Sequence, residues 1–200
     1  MKTIAIVFFF FITAFSTAQE INPVLYEKTW LNNETRYING FAITKVFGQM
    51  PHAPSAYNFL PVTSVSFKDL TQLKDELTKT AETEKWSNKN RDRQLMQLEQ
   101  NARGGEIEIY ITRYDEEYAN FKWFFVILRG MDDKRKLWEK ELGYQAPEMP
   151  YEKGWWNYKK VQIPVELKPP FYIYLNDKSS RYLSDFKFRV ESASNQPADN

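Results

Sequence analysis

The chain of 200 residues has no cysteine, one histidine, seven glycines and ten prolines. Without cysteine there is no disulfide framework, thiol nucleophile, zinc-thiolate site or iron-sulfur cluster. With His52 alone, a multi-histidine metal site is excluded, and His52 has no Ser or Cys partner in a nucleophile motif. Charge of one sign is also missing. Lys and Arg number 27 against 26 Asp and Glu, a formal +1, so no concentrated positive field favours nucleic acid or an anionic membrane. Glycine and proline are too sparse for a low-complexity or collagen-like segment, and no internal repeat is present.

What the chain does have is an apolar start and a heavy aromatic load. Lys2 precedes an apolar run from Ile4 to Phe15, broken only by Thr13, and Ser16-Thr17-Ala18 supplies small residues before Gln19. The run is shorter than the about 20 residues a membrane span needs and has the length of a signal-peptide core. The expectation is a signal peptide over 1–18, one domain over 19–192 and a disordered polar tail over 193–200. The mature protein is then exported, to a periplasm or to the medium, and does not span the membrane. Trp, Tyr and Phe make up 16% of the chain, a composition that favours strands and large cross-strand contacts.

Periodicity divides the chain into three parts. Thr35 to Phe47 reads as a strand with a bulge or close approach at Gly40, and Tyr57 to Val65, interrupted by Pro61, as an edge strand or extended loop. Phe67, Leu70, Leu73, Leu77 and Ala81 then recur at helical spacing, with Ser66 and Asp69 as a capping-box variant. After Trp86, Ser87-Asn88-Lys89-Asn90 breaks this helix, and Leu95, Leu98 and Ala102 mark a second before Gly104-Gly105. One long helix through Trp86 is the alternative. Beyond Gly105 the period is two: Ile107, Ile109 and Ile111 alternate with Glu106, Glu108 and Tyr110, Phe121 to Leu128 is apolar on both faces, and Leu137 to Leu142 returns after Asp132-Asp133-Lys134. Gly143 to Gly154 reads as a loop, followed by strands over Trp155 to Ile163, Phe171 to Leu175 and Asp185 to Glu191. About eight strands joined by short turns must pair mainly antiparallel. The expected fold is mainly β, an antiparallel sandwich with a helical insertion over residues 67–103; a half-open barrel is the other architecture.

Three groups of residues are candidates for chemistry. Tyr144, Tyr151, Trp155, Trp156 and Tyr158 surround the 143–154 loop, and flat aromatic faces beside polar groups suit a sugar ring or an extended peptide. Adjacent Trp155 and Trp156 on a strand point to opposite faces, so a platform forms only if one ring is exposed beside Tyr144 or Tyr151. Otherwise the loop is a lid over the core. Asp132 and Asp133 in one turn, and Asn176 and Asp177 in another, supply oxygen to Ca²⁺ if the turns share an end of the sandwich, since calcium takes about six to eight oxygens. Asp115, Glu116 and Glu117 form a third acidic turn. Glu106 and Glu108 share one strand face and have the spacing of a glycosidase acid/base pair, which is about 5–9.5 Å, although Glu alternating with Ile is also how a solvated strand face reads.

In the helical insertion Lys85, Lys89, Arg91, Arg93 and Arg103 are interleaved with Glu82, Glu84, Asp92 and Glu99, a mixed-charge solvated face. No catalytic motif is legible. The leading expectation is an exported, non-catalytic binding module for a carbohydrate or an envelope protein, using the aromatic loop. A carboxylate-based glycan hydrolase and an assembly factor docking through Leu70, Leu73 and Leu77 are the alternatives.

Overall fold

A computed structural model describes residues 25–26, 29–48, 61–151, 154–179 and 184–193, with backbone alone at 149–151 and 184. The expected signal peptide, His52, residues 57–60 of the second predicted strand and the tail from 194 lie outside the described residues. So does the side chain of Tyr151.

Among the described residues ten strands and two α-helices follow one another: β1 (Thr35–Ile38), β2 (Phe41–Gly48), β3 (Thr63–Lys68), α1 (Leu70–Thr83), α2 (Asn88–Asn101), β4 (Glu106–Arg113), β5 (Phe124–Arg129), β6 (Lys136–Glu141), β7 (Glu148–Tyr151), β8 (Gly154–Gln162), β9 (Phe171–Asp177) and β10 (Ser184–Ser192). They form a six-stranded sheet in the order β1-β2-β10-β9-β5-β6 and a four-stranded sheet in the order β3-β4-β8-β7. Every pairing is antiparallel, as short connections require. The protein is a mainly β sandwich with a helical insertion, and the insertion is the long loop of the β3–β4 hairpin.

Strand alternation builds the space between the sheets. Phe171, Ile173 and Leu175 of β9, Phe186, Phe188 and Val190 of β10, and Phe124, Val126 and Leu128 of β5 face Ile107, Ile109 and Ile111 of β4, all fully buried. Phe67 of β3 bridges the sheets, with its ring 4.9 Å from Phe41 and 5.1 Å from Phe171, both edge-on.

Local chemistry explains where the structure departs from the periodicity. Residues 35–47 are a hairpin rather than one bulged strand, because Asn39 and Gly40 both take positive φ (53° and 75°), the backbone of a tight two-residue turn. The irregularity lies instead in the β2–β10 ladder, where the register shifts between Lys187 and Phe188. The helix cap is Asp69, whose side chain accepts from the Gln72 amide while Gln72 reaches back to the Asp69 amide, a capping box three residues beyond the Ser66 variant. The break at Ser87 is real, and Ser87 caps α2. The 143–154 loop contains β7, which hydrogen-bonds to β8.

At one end of the sandwich the two sheets are joined by a buried ion pair. Arg113 at the end of β4 donates Nε and Nη2 to Asp177 Oδ2 of β9 at 3.2 and 2.7 Å. Its remaining hydrogens go to the Val62 and Thr112 carbonyls and to Thr63 Oγ1. Asp177 Oδ1 accepts from the Ser179 amide and hydroxyl. Both side chains are sealed from solvent, at 0% and 1% exposure, and the guanidinium lies over Phe124, 5.3 Å from the ring centroid. Such a pair tolerates joint replacement far better than loss of one partner, which strands a buried charge. Arg113→Met or Asp177→Leu alone is expected to destabilise the fold by about 3–5 kcal/mol, and the double replacement by less than the sum. A urea-unfolding double-mutant cycle measures both; single-variant losses below about 1 kcal/mol would show that the pair is not the inter-sheet tie.

Candidate functional site

β4 ends at Arg113, and the chain immediately turns through Tyr114-Asp115-Glu116-Glu117 into two single-turn 3-10 helices, Glu117–Ala119 and Phe121–Trp123. Asp115 Oδ1 accepts from the Glu117 amide at 2.8 Å, the local hydrogen bond that makes Asp a turn residue. Asn120 caps the second turn, its Oδ1 accepting from the Lys122 amide at 3.0 Å. The Tyr114 and Tyr118 rings meet edge-on at 5.3 Å. Burial, with Tyr118 and Asp115 adding to it, pushes the Tyr114 phenol above its ordinary value, so it is a neutral hydrogen-bonding group.

The loop after β6 is fastened to this turn by three side-chain amides. Asn157 of β8 is buried, donates to the Ala119 and Gln145 carbonyls at 3.0 and 2.9 Å, and accepts from Gln145 Nε2 at 3.0 Å. Gln145 Nε2 also donates to the Tyr158 carbonyl, and the Gln145 amide donates to Asn120 Oδ1 at 3.3 Å. On the other side of Tyr144, Gly143 takes φ +70° and Leu142 is buried, with its amide bonded to the Phe124 carbonyl. Tyr144 therefore projects from a tethered backbone and is 74% exposed.

Tyr144 stands over a cleft of about 550 Å³ lined by Tyr114, Asp115, Glu116, Glu117, Asn120, Tyr144, Pro147 and Trp155, within the size range of small-molecule sites. Glu117 is ion-paired with Lys122 at 2.6 Å. Glu116 has no side-chain hydrogen bond or ion pair among the described residues.

The structure thus brings two of the five aromatic candidates together and separates two others. Trp155 pairs with Arg113 across the ladder and Trp156 with Thr112, so the adjacent tryptophans do lie on opposite faces. Only Trp155 reaches the cleft. Trp156 packs on the core and stacks on Tyr110, centroids 6.1 Å apart. Tyr158 is buried on that second face, away from the cleft. Asn120, Gln145, Asn157 and Tyr114 were not legible as site residues: isolated amides carry no spacing signal, and their role arises from loops that meet only in three dimensions.

The calcium candidates are not assembled. Phe124, where β5 begins, pairs with Asp177, whereas Arg129, where it ends, pairs with Tyr172. The Asp132-Asp133 turn therefore leaves from the end of β5 opposite Asn176 and Asp177. Asp133 binds the Tyr174 hydroxyl and Lys187, Asp132 accepts turn amides, and Asp177 faces inward onto Arg113. No group of three or more potential metal ligands occurs among the described residues.

Glu106 and Glu108 do not lie on a solvated face, because the outer side of the four-stranded sheet is covered. Their exposures are 6% and 3%, and the Tyr26 ring lies 5.9 Å from that of Tyr110 on the same face. Glu108 accepts from Ser66 at 2.6 Å and faces Lys68 at 3.4 Å and Lys160 at 3.9 Å; Lys68 also binds Glu76 of α1. The Tyr158 hydroxyl faces this cluster without closing a hydrogen bond of normal geometry. Burial opposes charge on both carboxyls. On Glu108 the Ser66 hydrogen bond and the two lysines outweigh it and hold the group below its ordinary value, whereas Glu106, with weaker compensation, is pushed up.

The helical stripe is not a free docking face either. Leu73 is buried, Leu70 and Leu77 are half-buried, and α1 packs chiefly on α2, with Lys74 bound to Glu99 across the pair. Among the described residues no helix is long and apolar enough to cross a membrane. The chain matches no protein-family model, no curated protein and no solved structure.

The opposite shifts at Glu106 and Glu108 give opposite pH signatures. A raised folded-state value makes the ionised Glu106 a liability that grows as pH rises above the ordinary 4.5, so Glu106→Gln is expected to stabilise the protein at pH 7 and to have little effect below pH about 4. Glu108 contributes stability above the ordinary carboxylate range that is lost as pH falls through its lowered folded value, so Glu108→Gln is expected to destabilise at pH 7 and progressively less in acid. Urea midpoints for both variants between pH 3.5 and 7.5 measure these trends, and the same sign for both would contradict the assignment.

Proposed function

We propose that the protein is an exported binding module that holds a saccharide in the cleft between the 114–117 turn and the tethered 143–147 loop, without catalysing a reaction on it. The carrying observation is that Tyr144, exposed on a fastened backbone, shares one cleft with Trp155, Tyr114, three carboxylates and the Asn120 amide. A sugar ring offers an apolar C–H face for aromatic stacking and a rim of hydroxyls that both donate and accept, which suits aromatic walls set among polar groups. The fixed loop favours this use, since little side-chain or backbone freedom remains to be lost when a ligand arrives. Export is read from the Met1–Ala18 pattern.

Binding is favoured over hydrolysis by where the carboxylates lie. Glu106 and Glu108, the pair with acid/base spacing, are buried on the outer face of the four-stranded sheet and do not line the cleft. Within the cleft, the Asp115 carboxylate is committed to its turn and that of Glu117 to Lys122.

Calorimetric titration of a panel of neutral oligosaccharides is expected to find a ligand whose affinity falls about tenfold or more on Trp155→Ala or Tyr144→Ala, as for a central aromatic contact. Tyr158→Phe, outside the cleft, is expected to leave that affinity unchanged. Release of new reducing ends from the bound oligosaccharide would replace binding by hydrolysis, and unaltered affinity in both aromatic variants would remove the cleft from consideration.

A further inference from the structure

One of the residues lining the cleft carries a hydrogen-bond donor that has no protein partner among the described residues. Asn120 is 4% exposed. Its Oδ1 is taken by two backbone amides, Lys122 and Gln145, and because amides only donate, this fixes which end of the side chain is oxygen. Nδ2 is the atom left to the cleft that Asn120 lines, and it has no partner among the described residues. A side-chain amide held this rigidly cannot rotate to find another acceptor without breaking both bonds. Nδ2 is not among the sealed unpartnered atoms, so it meets the water of the cleft, and a ligand acceptor placed there takes that water's place.

The rim has the complementary shortage. Glu116 accepts no side-chain hydrogen bond among the described residues, and Asp115, Glu116 and Glu117 together oppose any anionic ligand, with Lys122 engaged on Glu117. The ligand group that fits is therefore uncharged, carries an acceptor for Nδ2 and carries a donor for a carboxylate. A trans secondary amide has both, pointing in opposite directions within one rigid plane. On a sugar that group is an acetamido substituent, and its methyl adds apolar surface to meet an aromatic wall.

We propose that Asn120 is the specificity-determining residue of the cleft and that the saccharide it reads contains a 2-acetamido-2-deoxyhexose unit. This rests on the saccharide reading above and narrows it: the acetamido carbonyl accepts from Asn120 Nδ2, and the acetamido N–H faces the Glu116 carboxylate. Sugars bearing carboxylate or sulfate are disfavoured by the acidic turn.

Three tetrasaccharides of one backbone geometry test this against the full chain by calorimetry: the β-1,4 tetramer of N-acetylglucosamine, its de-N-acetylated counterpart and the glucose tetramer. The acetylated tetramer is expected to bind at least about tenfold more tightly than the glucose tetramer, the equivalent of ~1.4 kcal/mol. Asn120→Asp keeps an oxygen for the Lys122 and Gln145 amides while removing the donor, and is expected to abolish that preference; the added charge at a buried position lowers the melting temperature, so the readout is the ratio of the two affinities in the folded variant. Glu116→Gln, on the exposed rim, is a second variant expected to reduce it. Equal binding of the acetylated and glucose tetramers by the unmodified protein would overturn the acetamido assignment and leave the saccharide reading standing. Tightest binding of the de-N-acetylated tetramer would overturn it in favour of charge recognition by the acidic turn. No binding of any of the three would overturn the acetamido assignment, and no binding across the oligosaccharide panel as well would overturn both.

Discussion

The buried Arg113–Asp177 pair is the constraint on which the rest of the arrangement depends. Among the described residues it is the ionic tie between the two sheets, and every hydrogen of the guanidinium has an acceptor. A charge in that position is tolerable only with such complete satisfaction. Its location matters as much as its energy. Arg113 is the last residue of β4, so the pair fixes where the strand stops and the 114–117 turn begins. Trp155, across the ladder from Arg113, is set in the same act. Two of the cleft's walls thus hang on one ion pair in the core.

The third wall is held by amides. Asn120, Gln145 and Asn157 exchange hydrogen bonds among a turn, a loop and a central strand, with much of the network out of water, where each bond is stronger and each omission more costly. This distinguishes Tyr144 from an ordinary surface tyrosine: the ring is free but the backbone beneath it is not. The cleft is therefore held in shape by the protein's own hydrogen bonds.

The covered outer face of the four-stranded sheet is a different polar environment. Glu106 and Glu108 were legible as a pair with one strand face in common, yet the alternation Glu-Ile-Glu-Ile gives no sign of whether the glutamate side meets water or protein. Their burial follows from what lies over the sheet, including Tyr26 on Tyr110 and the α1 carboxylate of Glu76 on Lys68. The same ambiguity affected the aromatic candidates. Tyr158 and Trp156 belong to this covered face, and Trp155 and Tyr144 to the cleft, although all four are close in sequence.

The amino-acid sequence by itself determined the class of fold, the helical insertion and its break at Ser87, the antiparallel character of the sheets, and the inward positions of β4, β9 and β10, but not those of β5, which reads as apolar on both faces and buries only alternate residues. Each of these rests on short-range periodicity, capping or connection length, which neighbouring residues specify among themselves. The Asn39-Gly40 hairpin was equally local and was open to the same reasoning from its turn dipeptide. Only the tertiary structure decided that Asp177 faces Arg113 rather than Asp133, that Asn120 and Gln145 meet, and that one tryptophan of an adjacent pair borders a cleft while the other packs on the core. Those outcomes depend on strand order, register and loop packing, which bring residues 25 to 64 positions apart into contact through packing and desolvation that no local pattern encodes.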